Sequence, residues 1–215
     1  MKLYGYFRSS AAFRVRIALY LKGLAPDTEL VNLQAGDQSS AAYRTINPQG
    51  RVPSLEDDGA VLVQSMAIME YLDEIYPDPP LLPVAAKGRA RVRGIANIIA
   101  CDIHPLNNLA ILNYIKAEFG ADTDAVNGWY RHWVKQGFDG VEPLLAESPE
   151  TGTFCHGDAP GLADICLVPQ VFNAQRFDCD LSGYPTILRI NDACLKLDAV
   201  DQALPGNQPE AAGIA

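Results

Sequence analysis

Cysteine is missing from this 215-residue chain until position 101. The five present, Cys101, Cys155, Cys166, Cys179 and Cys194, are odd in number and form no Cys-x-x-Cys pair, which argues against a disulfide framework, a zinc knuckle or a dithiol motif. Apolar neighbours, as in Ile165-Cys166-Leu167, predict buried reduced thiols. Histidine is scarcer still: His104, His132 and His156 are scattered, and His156 beside Cys155 is too little to hold a metal, so none is expected. Basic charge is also short, with 17 Lys+Arg against 26 Asp+Glu, a formal charge of −9 and a pI near 4.7. That balance disfavours nucleic acid and anionic membrane as partners. No apolar run reaches the about 18 residues of a membrane span, and no charged leader precedes a cleavage site, so a cytoplasmic protein is expected.

What is there is apolar residue in quantity, 48% of the chain, enough for one large or two small cores. The stretch Phe7-Arg8-Ser9-Ser10-Ala11-Ala12-Phe13-Arg14-Val15-Arg16-Ile17-Ala18-Leu19 reads as a strand giving way to a helix. Met1 to Tyr6 suits the strand. Ala11, Val15, Ala18 and Leu19 then recur at helical spacing, and Lys22-Gly23 supplies a last-turn cation and a glycine stop. Ser9-Ser10 is thereby placed at a helix N-terminus, where unpaired N–H groups and about half a positive charge favour an anion. A plain N-cap explains the same serines.

Strand and helix signals alternate through the first eighty residues. A strand at 28–33 and a helical stretch at 39–46 precede strands at 52–56 and 60–64, which the turn Asp57-Asp58-Gly59 joins as a hairpin. A helix begins at Ser65, its expected N-cap, with Ile68, Leu72 and Ile75 on one face, and stops before Pro77. This order fits a thioredoxin-like domain. Pro53 at a strand start marks an edge or a special turn, where a cis bond would leave the Val52 backbone free for a peptide-like ligand. Gln64-Ser65 puts an amide and a hydroxyl at a second helix N-terminus, which suits a carboxylate as well as a cap.

Four prolines between Pro77 and Pro83 read as a linker. Domains are therefore expected at residues 1–80 and 86–215, the second all-helical. Val92, Ile95, Ala96, Ile99, Ile103 and Leu106 form its first apolar face, and Pro105 should bend or break that helix beside His104, Asn107 and Asn108.

Taken together, Arg8-Ser9-Ser10-x-x-x-Arg14-Val15-Arg16-Ile17-Ala18-Leu19, Asn47-Pro48, Val52-Pro53, Gln64-Ser65-x-Ala67-Ile68, Asp102-Ile103-His104-Pro105, Asn107-Asn108 and Leu167-Val168-Pro169-Gln170-Val171 resemble the zeta class of glutathione S-transferases. The resemblance runs from Lys2 to about Asp198 and takes in maleylacetoacetate and maleylpyruvate isomerases. It implies an α/β thioredoxin-like N-terminal domain plus an all-α C-terminal domain, a homodimer, and glutathione as cofactor. By position, Ser9 and Ser10 are the implied catalytic hydroxyls beside the glutathione sulfur. Gln38, Val52, Pro53, Gln64 and Ser65, with His104, Asn108, Leu109 and Ala110, are the implied cofactor-binding set. Arg8 and Arg176 are implied to meet a small anionic substrate.

The implied reaction is cis–trans isomerisation of a maleyl keto acid, with the cofactor thiolate as a regenerated nucleophile. A thiol with an unperturbed pKa of about 8.5 needs such help at neutral pH. Ala11 stands where the family usually has Cys, which removes the resolving thiol of related reductive dehalogenases. Gly161 stands at a cap where Thr is usual, at a cost of a few tenths of a kcal/mol. Asn108-Leu109-Ala110-Ile111 lacks an arginine found in bacterial maleylpyruvate isomerase, which points to maleylacetoacetate instead. Two other classes compete: a general transferase that consumes glutathione on electrophiles or α-haloacids, and a non-catalytic binding protein of the same fold.

Overall fold

The computed structural model describes residues 1–213 as two compact units, Met1–Leu81 with the segment from Lys196 onward, and Leu82–Leu195. In the first unit, β1 (Lys2–Gly5), α1 (Ser10–Leu21) and β2 (Asp27–Leu30) form a βαβ unit. A 3-10 turn at Asp37–Ser39, α2 (Ala41–Ile46), β3 (Ser54–Asp57), β4 (Ala60–Val63) and α3 (Ser65–Ile75) complete it. The sheet order is β2-β1-β3-β4, with β1 parallel to β2 and antiparallel to β3, and β3 antiparallel to β4. Asp58 (φ 48°) and Gly59 (φ 76°) make the hairpin turn, both left-handed as a two-residue connection demands.

Two buried cations, Lys22 just past α1 and Arg16 within it, explain how this unit is held. Lys22 does not serve its own helix end: its Nζ donates to Asp73 Oδ1 at 2.7 Å and to the Pro79 carbonyl at 2.5 Å, tying α1 to α3 and the start of the linker. Arg16 donates from Nε and Nη2 to the Ala203 carbonyl at 3.1 and 3.0 Å, and from Nη2 to the Phe7 carbonyl at 3.0 Å. Burial lowers the Arg16 pKa to about 10. Those bonds dock α9 (Asp198–Ala203) against α1, so the final segment belongs with the first unit rather than extending the helical one to residue 215.

The second unit is helical: α4 (Ala86–Asn97), α5 (Leu109–Phe119), α6 (Thr123–Ala146), α7 (Leu162–Arg176) and α8 (Pro185–Cys194). Ala86–Phe119 is by length and hydropathy comparable to a membrane span. Its Val92, Ile95, Ala96, Ile99 and Ile103 face, however, is buried, and α4 packs on α7. The predicted break at Pro105 is present in a particular form. α4 passes into a π-helical turn at Ile98–Ile103, with the His104 N–H donating five residues back to the Ile99 carbonyl at 3.0 Å, and a 3-10 turn follows at Pro105–Asn107.

In α7 every residue from Leu162 to Val171 is buried, the mostly apolar sequence being covered on all sides with Asp164 and Gln170 enclosed in it. At its start, Gly161 caps without a side chain while Asp164 Oδ2 accepts the Gly161 N–H at 2.9 Å and Oδ1 accepts the Cys155 N–H at 2.8 Å. All five cysteines are free. Cys155, Cys166 and Cys194 are buried as expected, whereas Cys101 is exposed and Cys179 half-buried, because they lie on outward faces next to Asp102 and Asp178.

Candidate active site

Strand direction gathers most of the predicted residues of the first unit. Tyr4, Ser54 and Val63 stand side by side, with β1 and β4 running toward the end of the sheet from which β3 departs. Ser9-Ser10 after β1, Val52-Pro53 before β3 and Gln64-Ser65 after β4 therefore emerge at one end. β2, parallel to β1, delivers the 3-10 turn carrying Gln38 from the same end.

Ser9 is the N-cap of α1, with extended backbone (φ −73°, ψ 120°) and an Oγ that accepts the Ala12 N–H at 3.2 Å. Capping uses the oxygen as acceptor, which leaves the hydroxyl proton as a donor. Ser10 is the first helical residue and is buried, and no acid occupies the first turn. The helix end therefore keeps its positive character. At α3 the arrangement differs from expectation: Gln64 takes the cap position with left-handed φ of 72° and makes no cap bond, and Ser65 is the first helical residue rather than the N-cap. Gln64 Nε2 donates to Gln49 Oε1 at 2.8 Å, while Ser65 Oγ accepts from Arg14 Nη1 at 3.3 Å.

The Val52-Pro53 bond is cis. Tyr43 Oη donates to the Arg51 carbonyl at 2.7 Å and lies 3.0 Å from Ser54 Oγ, and Asn47 Nδ2 donates to both at 2.8 and 3.2 Å, so α2 braces the turn on either side. Among the described residues, none supplies a hydrogen bond to the Val52 backbone. Gln38 is half-buried, and its Oε1 is buried without a protein partner. Gly50 (φ 62°) lets the chain pass there, since a Cβ would stand 2.7 Å from the Gln38 carbonyl oxygen. Arg8 is exposed, its guanidinium 5.0 Å from the Phe7 ring centre.

In the second unit, Asn108 is the N-cap of α5. Its Oδ1 accepts the Ala110 and Ile111 N–H groups at 2.9 and 3.2 Å, and its Nδ2 donates to the Pro105 carbonyl at 2.6 Å. Leu109 and Ala110 are exposed in the first turn behind it, and His104 closes the π turn before it. Arg176 ends α7, exposed, with Nη1 donating to Asn173 Oδ1 at 3.0 Å and the guanidinium 5.8 Å from the Phe177 ring centre.

Tyr130 of α6 joins these two places: Phe177 stacks on it at 3.7 Å, and its carbonyl accepts from Asn107 Nδ2 at 3.3 Å. Burial pushes the Tyr130 hydroxyl pKa far up. Trp129 Nε1 adds a bond to the Leu106 carbonyl at 2.8 Å. Sequence reasoning passed over Arg14, Tyr43, Gln49, Trp129 and Tyr130. For Arg14 a signal existed, a cation inside an otherwise apolar helix face; for the others none did. Among the described residues, no three His, Cys, Asp or Glu side chains gather as a metal site.

A thioredoxin-like unit followed in sequence by an all-helical unit is the architecture of the glutathione S-transferase fold, and the sequence pattern of the glutathione S-transferase N-terminal domain matches residues 3–80. A probable maleylacetoacetate isomerase of Vibrio cholerae is 48% identical over 97% of each chain. The holo structure of maleylpyruvate isomerase, a bacterial zeta-class enzyme, superposes with a TM-score of 0.97 at 48% identity, covering 98% of this chain and 100% of that one. Maleylacetoacetate isomerase from Methylobacterium extorquens AM1, solved with malonate and glutathione bound, gives a TM-score of 0.95 at 42% identity over 98% and 99% of the two chains. The chain belongs to the zeta class of glutathione S-transferases, the enzyme family of the maleylacetoacetate and maleylpyruvate isomerases.

Proposed function

We propose that this enzyme uses glutathione to convert a maleyl keto acid to its fumaryl isomer, with maleylacetoacetate the better substrate and maleylpyruvate the weaker. The observation that carries this reading is Ser9, whose oxygen is taken by the Ala12 N–H while its proton remains to be given, at a helix end without acids. Glutathione, when bound, would supply a thiol nucleophile for the cis double bond, regenerated with each turnover. The Ser9 hydroxyl donates to the sulfur, and together with the α1 N-terminus favours the thiolate. Ser10 supports it from the first turn.

The residues fit a tripeptide. The Val52 backbone offers a strand-like pair of bonds, Gln38 Oε1 is a buried acceptor without a protein partner, and Gln64 with Ser65 meets the γ-glutamyl end at the second helix N-terminus. The family resemblance adds His104 and the Asn108-Leu109-Ala110 turn to the cofactor-binding set. Arg8 and Arg176, both exposed, receive the substrate carboxylates and the negative charge that develops on addition. Ala110 offers no third cation, which favours the longer maleylacetoacetate. The enzyme acts as a homodimer, the arrangement its family resemblance implies. Counting glutathione over many turnovers tests the reading: constant glutathione with fumaryl product supports it, and depletion with a conjugate would make the protein a general transferase.

A further inference from the structure

Arg14 has no part in the reading above, yet it bonds a serine that does. It sits in α1 just past Ser10, is 1% exposed, and donates from Nη1 to Ser65 Oγ at 3.3 Å. An arginine has donors only, so Ser65 can only accept in this contact and its own proton is directed elsewhere. The first turn of α3 holds no acid to take that proton or to neutralise the helix end.

We propose that Arg14 is a positioning residue for the γ-glutamyl carboxylate of glutathione: it engages Ser65 Oγ as an acceptor, which turns the hydroxyl proton toward the carboxylate. This rests on the reading of Ser65 as a cofactor-binding residue. It explains why a cation occupies the interior of a helix whose neighbouring positions, Phe13 and Val15, are fully buried.

Calorimetric binding of glutathione is compared with that of γ-aminobutyryl-cysteinylglycine, which keeps the amine and lacks the carboxylate. Arg14→Met should weaken glutathione about tenfold or more, the range of a hydrogen bond to a charged group, and leave the analogue within about twofold. Arg14→Lys should recover part of the loss. Ser65→Ala should show the same selective loss, and combining it with Arg14→Met should add little. If Ser65→Ala does not affect glutathione, the reading of Ser65 fails and the proposal with it. If Ser65→Ala is selective but Arg14→Met weakens both ligands equally, or neither, Arg14 only holds α1 to α3 and the proposal is overturned. Should Arg14→Met not fold, Arg14→Lys carries the same comparison: a loss confined to glutathione supports the proposal, and an equal loss for both ligands, or none, contradicts it.

Discussion

The N-termini of α1 and α3 look alike in sequence, each opening on a small polar pair before an apolar helix, and they are built differently. At α1 the cap is local: Ser9 Oγ bonds the Ala12 N–H three residues on. At α3 the serine has moved one place into the helix, a left-handed glutamine holds the cap position without a cap bond, and the partner of the hydroxyl is Arg14, 51 positions away. Both end with the oxygen occupied and the proton free, so capping and ligand binding are compatible uses of one hydroxyl. What differs is the range of the interaction that sets the proton.

That contrast orders the expected effects of substitution. The largest should come from Arg16, the other buried cation of α1. Arg16→Met leaves the Ala203 and Phe7 carbonyls without their donor, and a loss of about 2–6 kcal/mol in urea unfolding is expected, at one to three kcal/mol per buried orphan group. A change within about 0.5 kcal/mol would show that the final segment is not held by this residue.

Ser9→Ala follows, with a fall in kcat/KM worth about 1.5–3 kcal/mol from the lost bond to the thiolate and about 1 kcal/mol of stability from the lost cap. The two readouts separate: equal losses in both would reduce Ser9 to a cap. Removing the thiolate's donor raises its pKa, so the rising limb of the kcat/KM–pH profile should shift to higher pH in the variant.

Arg176→Ala should cost about 2 kcal/mol of kcat/KM for a maleyl keto acid, at the low end for a charged pair because the guanidinium is exposed, and far less for a neutral aryl halide. Similar losses on both substrates would remove it from substrate binding. The smallest effect belongs to Asn108→Ala, about 1 kcal/mol of stability from the α5 cap, read by thermal unfolding.

The elements that rest on local chemistry were legible in the sequence. Helical spacing gave α1, Pro77 the end of α3, Asp58-Gly59 the hairpin, and Pro105 the interruption after α4. The motifs led to Ser9, Val52-Pro53, Gln64 and Asn108 through the family they resemble, and three of those four lie at one end of the sheet. What the sequence did not show depends on partners far along the chain. The placement of the segment from Lys196 with the first unit needs Arg16 to find the Ala203 carbonyl, and the bracing of the cis turn needs Tyr43 and Asn47 to reach Arg51 from α2. Ser65 was misplaced by one residue because nothing in Gln64 announces a left-handed backbone. Pairing at such range has no period to read.

The measurement that bears most directly on the central claim is a titration of the ultraviolet thiolate absorbance of glutathione bound to the wild-type protein and to Ser9→Ala. The account predicts a bound thiol pKa well below the free value in the wild type, and a rise of about one to two pH units on removing the hydroxyl. The same pKa in both proteins would contradict it and leave Ser9 a helix cap alone.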